Sequence, residues 1–193
     1  MPRSGEDARR RLQQAALELF AERGYEATTT AEIATRAGVT ERTFFRHFPD
    51  KREALFDGEE AFRAALSDGV LAAPEDQNPI GALLFAFRAV GPMLEENRAF
   101  SGPRAVLIAQ TPALQERMRT KTAGLIDALS AALRRRGIEE GAAALAAQVG
   151  MAAFTHAAGA WFADPKPGLD AHLTRAFDAL HDLSSTGRAS RSR

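Results

Sequence analysis

Apolar residues recur every three or four positions along almost the whole chain, and alternating Val/Ile/Thr/aromatic runs do not occur. That period belongs to amphipathic helices, so the pattern predicts an all-α protein punctuated by Gly and Pro. In 5–23, Leu12, Ala15, Ala16, Leu19 and Phe20 form one stripe, and Gly24 follows as a C-cap. Two short helices come next. One covers 30–37, entered through Thr28, Thr29 and Thr30, all good N-cap types, and closed at Gly38. The other covers 41–47, capped by Thr40 and ended by Phe48-Pro49. Asp50, with Glu53 three residues on, predicts the start of a long helix over 51–72. A linker runs from Ala73 to Pro79. Beyond it the pattern predicts helices over 79–96, 103–110, 112–136, 139–163 and 170–184, about nine in all. Pro79, Pro103 and Pro112 suit first turns, Ser101 looks like a helix cap, and Gly137 suits a C-cap.

Residues 30–48 have the spacing of a helix-turn-helix. Ile33 and the small Ala34 lie on the buried side of the first short helix, Ala34 being small where the second helix crosses. Gly38 takes the left-handed turn position, which costs other residues steric strain. Val39 fills the angle between the helices, and Phe44 and Phe48 bury the second one. Its other face carries Arg42, Thr43, Arg46 and His47. Such a helix fits the major groove with its N-terminal side chains toward base edges. On composition alone, Arg42 is better read as a solvated helix residue.

Composition narrows the function. The 193 residues are 45% apolar and 26% charged, within the ordinary globular range. There is no Cys, which excludes disulfides, thiolate zinc sites, iron–sulfur clusters and a Cys nucleophile. No apolar run reaches the roughly 18–20 residues that span a bilayer, and no signal-peptide stretch opens the chain, so a cytoplasmic protein is expected. Net charge is zero, which excludes a uniformly basic nucleic-acid coat. Residues 1–52 carry 10 Lys/Arg against 8 Asp/Glu, 53–185 carry 12 against 17, and 186–193 carry 3 against none. Any surface for a polyanion therefore lies toward an end of the chain.

The context around the helix-turn-helix resembles the tetracycline-repressor (TetR/AcrR) family of bacterial regulators. The resemblance runs from Arg10 to about Phe56. It is carried by Ala15-Ala16-Leu17-Glu18-Leu19-Phe20, Glu22-Arg23-Gly24-Tyr25, Thr28-Thr29-Thr30, Glu32-Ile33-Ala34, Ala37-Gly38-Val39-Thr40 and the stretch from Thr43 to Lys51. It implies that the second short helix is the recognition helix. Arg42 then reads a base, best as a bidentate contact to guanine. Thr40 and Thr43 donate hydroxyls to phosphate, with Arg46 and His47 close by. Lys51 meets phosphate from the first turn of the long helix, and Thr29 or Thr30 holds the backbone across the groove. Phe45 stands where many relatives have Tyr, so packing against sugar or a thymine methyl replaces a phosphate bond. Residues 36–52 hold five Lys/Arg and two Asp/Glu, implying modest, strongly salt-dependent non-specific binding.

Over the rest of the chain the resemblance is one of layout. It implies a helix-turn-helix DNA-binding domain over 1–52, a helical ligand-binding and dimerisation domain over 53–185 and a flexible basic tail over 186–193. The long fourth helix joins the two and moves when ligand binds. Two recognition helices in a homodimer would meet a palindromic operator whose half-sites lie on the order of 34 Å apart. The Ala- and Gly-rich helix 139–163, with 170–184, is expected to form a four-helix dimer interface, the other reading being a tightly packed internal helix. Candidate ligand contacts are Phe85, Met93, Phe100, Arg104, Met118, Thr122, Phe154 and Trp161, a lining that suits an apolar small-molecule effector. Residues 98–136 loosely resemble an actinobacterial subset with acyl-CoA-like ligands. Arg104 with Arg117, Arg119 and Lys121 then forms a basic mouth, although the last three also read as a solvated face.

No Gly-x-Ser-x-Gly elbow, phosphate loop or dinucleotide fingerprint occurs. His181 shares a helix face with Asp178 and Asp182. His172 is over two turns away, however, and no His-x-x-x-His pair exists, so no metal site is expected. The expected function is a ligand-responsive repressor, not an enzyme, with no cofactor beyond its effector. The alternative is a helical dimeric interaction or ligand-binding protein that no longer reads a specific operator.

Overall fold

The computed structural model describes residues 3–185. The basic tail at 186–193 lies outside the described residues. Ten α-helices and one 3-10 turn form among the described residues, without a strand. In order they are α1 (Arg3–Arg23), α2 (Thr30–Arg36), α3 (Glu41–His47), the 3-10 turn Glu53–Leu55, α4 (Glu59–Ala72), α5 (Pro79–Ala89), α6 (Gly91–Glu96), α7 (Arg98–Gln110), α8 (Pro112–Arg135), α9 (Glu140–Ala163) and α10 (Leu169–Ser185). They divide into two compact units. The first holds residues up to 59 together with 99–120, and the second holds 60–98 together with residues from 121 on.

The core of the first unit is built on α1. Leu12, Leu19 and Phe20 meet Ile33 of α2 and Phe44 of α3, all within 2% of full burial. Burying each side chain of this size contributes about 1.5–3 kcal/mol. Leu55 and Phe56 extend this core, and Leu107, Ile108 and Leu114 close it from α7 and the start of α8. The second unit packs α5 against α9 and α10. Phe87 is fully buried there and stacks on Phe154, with ring centroids 4.5 Å apart. Gly69 lets α4 approach α5, since a Cβ there would lie 2.9 Å from the Ala86 Cα. Arg136 ties the end of α8 to the end of α4. Its guanidinium donates to the carbonyls of Val70 (3.1 Å), Ala73 (2.6 Å) and Pro74 (2.6 Å), satisfying groups a helix terminus leaves free.

Several elements differ from the pattern-based expectation. The helix expected over 51–72 breaks into the 3-10 turn and α4. Asp50 caps only the turn, accepting from the backbone N–H of Arg52 and Glu53, and Gly58 then turns the chain at φ +78°. Ala54, Leu55 and Phe56 belong to the first core while Leu66 and Val70 belong to the second, so no single helix serves both. The helix expected over 79–96 parts at Val90 into α5 and α6, because Pro92 has no N–H to carry the ladder forward. Conversely, α7 starts at Arg98, ahead of the expected 103. Pro103 sits inside it, and Ser101 is a buried helical residue, not a cap. Burial of Leu107 and Ile108 outweighs the one rung that Pro103 removes.

Candidate nucleic-acid interface and ligand groove

The α2–turn–α3 geometry follows from short-range chemistry. Thr29 caps α2 in a full capping box with Glu32. Bonds from the Thr29 N–H and hydroxyl, with Arg23 nearby, hold the Glu32 carboxyl below its ordinary range. Thr28, whose residue type also suited a cap, is buried, and its hydroxyl donates to Gly24 O (2.9 Å). Gly38 turns the chain at φ +68°, and Thr40 caps α3 by accepting from Thr43 N–H at 3.2 Å. Phe44 and Phe48 then lock α3 to the core, being 0% and 2% exposed.

What remains outward on α3 is Glu41, which accepts from Thr30, and Arg42, Phe45 and Arg46, all exposed. Most other arginines of this region are engaged. Arg36 binds Glu18 (3.2 Å) and Glu22 (2.8 Å), Arg23 binds Glu32 (3.0 Å), and Arg52 binds Asp50 (2.9 Å). Arg9 pairs with Asp57 and lies over the Phe48 ring, and Arg11 donates to Ala37 O at 2.8 Å. Arg42 and Arg46 make no hydrogen bond or ion pair among the described residues. Their charge is left available to an external anion.

The other DNA-binding candidates are placed less simply. The Thr40 and Thr43 hydroxyls lie 3.0 Å apart on the exposed start of α3. Thr29 donates to Glu32 (2.9 Å) and Thr30 to Glu41 (2.5 Å). Lys51 departs from its expected place. Its ammonium donates to Tyr25 O (2.7 Å) and Thr28 O (3.0 Å) and lies over the Tyr25 ring, so it pins the α1–α2 turn. His47 is half-buried, and its Nε2 is buried without a partner.

Burial, together with Arg46 and Arg9, pushes the His47 imidazole below its ordinary value, against a smaller opposing pull from Asp57. Well above pH 6.5, the ordinary imidazole value, His47 is neutral in both folded and unfolded chains and adds no pH dependence. As pH falls from there through the lowered folded value, the unfolded chain takes up a proton that the folded chain resists, so stability falls. Thermal melts between about pH 5 and 8 are expected to show this slope, and His47→Gln to flatten it. Equal slopes for the two proteins would rule His47 out as the group responsible.

The second unit contains a groove of about 510 Å³ between α8 and α9, lined by Thr122, Ile126, Gln148, Met151, Ala152, Thr155 and His156. Of the eight candidate ligand residues, only Thr122 lies on it. Phe154 and Trp161 belong to the second unit's core, whereas Phe85 and Met93 are exposed. Phe100 and Met118 pack on the first unit's core. Arg104 also belongs to the first unit. Burial lowers its pKa, its guanidinium donates to Leu55 O at 2.9 Å, and its Nε has no partner. Arg117 bonds to both Glu53 (2.6 Å) and Glu59 (3.0 Å). The basic mouth is therefore not assembled from Arg104 and Arg117, which are turned to residues 53–59. The groove residues Gln148, Met151, Ala152 and Thr155 were missed because they carry no charge and belong to no motif, and only packing against α8 brings them together with Thr122 and Ile126.

The expected dimer helices pack on each other within the chain. Part of their small-residue stripe is used there. Ala143, Ala147 and Ala157 are buried, and Gly150 abuts Leu83, whereas Gly141, Leu145, Ala152 and Gly159 stay exposed.

A capped, Gly-turned helix pair whose outer face presents two arginines unpaired among the described residues has the geometry of a helix-turn-helix DNA-binding module. The family model for bacterial regulatory proteins of the tetR family matches residues 12–57, and that for the MftR C-terminal domain matches 77–184. The chain belongs to the TetR family of transcriptional regulators. It is 47% identical over 79 residues to the HTH-type transcriptional regulator TcmR of Streptomyces glaucescens, covering 39% of this chain and 33% of that protein. It is 42% identical over 60 residues to the uncharacterised regulator YvkB of Bacillus subtilis strain 168, covering 30% and 32%. These matches span about a third of each relative. Among solved structures, Thermus thermophilus FadR, a TetR family repressor in complex with lauroyl-CoA, superposes with TM-score 0.55 at 26% identity, covering 96% of this chain and 97% of that one. SmeT of Stenotrophomonas maltophilia in complex with triclosan superposes with TM-score 0.65 at 22% identity, covering 91% and 90%.

Proposed function

We propose that the protein is a homodimeric repressor that reads a palindromic operator and is released from it by a small apolar effector. The observation that carries the DNA reading is the outer face of α3, where Arg42 and Arg46 have no partner among the described residues while Arg9, Arg23, Arg36 and Arg52 do. Arg42 sits in the first turn, where recognition helices meet base edges, and it takes the base contact. Thr40, Thr43 and Arg46 take phosphates, and Thr29 and Thr30 flank them at the start of α2. Lys51 acts from behind, holding the turn that presents α2. Gly141 and Gly159, exposed on α9 away from the groove, form the dimer face together with α10.

For the effector, the groove volume lies within the range of small-molecule sites. Met151, Ile126 and Ala152 suit an alkyl or aryl body, and Gln148, Thr155 and His156 supply polar partners. The acyl chain of the lauroyl-CoA bound by FadR and the triclosan bound by SmeT, both apolar, support that class.

The test is fluorescence anisotropy on DNA from upstream of the gene and on unrelated DNA, at two salt concentrations. Saturable binding to the first, weakened by salt and reversed by acyl-CoA esters or apolar compounds, is expected. Equal, weak binding to both DNAs would instead favour a regulator-like protein that reads no operator there.

A further inference from the structure

We infer that Phe45 selects the operator sequence by packing its ring on the C5-methyl group of thymine, an inference that rests on the DNA reading proposed for α3. Three phenylalanines within five residues meet opposite fates. Phe44 is 0% exposed, Phe48 is 2% exposed, and Phe45 is 53% exposed. Phe45 lies three residues from Arg42 and next to Arg46, on the outward face of α3.

The ring is braced. Phe44 meets it edge-on, with centroids 5.5 Å apart and planes at 86°. A ring already fixed by a core neighbour loses little freedom on contact, which favours its use as a binding surface. Its chemistry then narrows the target. A phenyl group has no donor or acceptor, so it forms no conventional hydrogen bond to a phosphate oxygen or to a base's polar edge. The two flanking guanidinium groups draw this face to a polyanion. In the major groove the apolar feature that a base pair presents is the thymine methyl.

The experiment starts by selecting bound sequences from a pool of randomised duplexes. Each thymine of the selected sequence is then replaced by deoxyuridine, which lacks only the methyl group. Affinities are measured for the wild type, Phe45→Ala and Phe45→Leu. At one or more thymines, uracil is expected to weaken wild-type binding about fourfold, the worth of one buried methyl. Phe45→Ala is expected to bind both duplexes equally, and Phe45→Leu to retain part of the difference. Because Phe45 is exposed apart from its edge contact with Phe44, neither variant should lower the melting temperature by more than a few degrees. If no uracil substitution affects the wild type, or if Phe45→Ala keeps the same uracil penalty, the inference falls while the DNA reading stands. A pool that enriches no motif overturns the DNA reading itself, and this inference with it.

Discussion

Replacing Phe87 by Ala is expected to cost about 3–5 kcal/mol and to lower the melting temperature by roughly 6–20 °C. Phe87 is the most enclosed aromatic side chain of the second unit. It is fully buried on α5, stacked on Phe154 of α9 at an interplanar angle of 16° and tilted against Phe177 of α10 at 6.1 Å. Truncation removes the ring's burial and leaves a cavity between three helices. Those helices cannot easily close it, because Gly150 already abuts Leu83 and Gly69 already abuts Ala86. Phe87→Leu keeps most of the volume and should cost much less. Thermal and urea melts followed by circular dichroism give both values. A loss below about 1 kcal/mol for Phe87→Ala would mean that α9 and α10 shift to fill the space, contrary to a tightly fixed second core.

The second large effect is on binding. Arg42→Ala is expected to weaken operator affinity by about 1–3 kcal/mol, roughly 5- to 150-fold, and to relax preference at one base pair. Stability should not change, since the side chain is exposed and bonds to nothing among the described residues. Arg42→Lys separates the two roles a cation can play. It keeps the charge but loses the planar fork, so it should bind unrelated DNA normally and still lose discrimination. Equal losses on operator and unrelated DNA would instead make Arg42 a backbone contact.

The helix-turn-helix was legible in the sequence because its determinants are local. Thr29, Thr40 and Gly38 act through backbone groups within four residues, and α3 falls within the expected bounds. Phe44 and Phe48 follow from periodicity alone. The broken elements were illegible for the opposite reason. Nothing near residue 58 announces that Phe56 and Leu66 serve different cores, and the apolar run around Pro103 makes α7 helical only through distant partners. The same holds for charge. Sequence spacing grouped Arg104 and Arg117 with Arg119 as one basic patch, whereas pairing with Leu55, Glu53 and Glu59 lies some fifty or more residues away. The Lys51 ammonium was likewise spoken for by carbonyls at 25 and 28 that no linear motif reveals.

The division of the chain has a consequence for how such regulators are recombined. Residues 99–120 belong with the DNA-reading head, although 60–98 and those from 121 on belong to the other unit. The polypeptide thus passes between units at three points, and the head is not a contiguous cassette. A chimera that joins residues up to 59 to a foreign sensor discards Leu107, Ile108 and Leu114 and strips Arg117 from Glu53 and Glu59. Swapping operator specificity between relatives therefore requires grafting the outer face of α3 alone, or carrying the 99–120 insert along with the head.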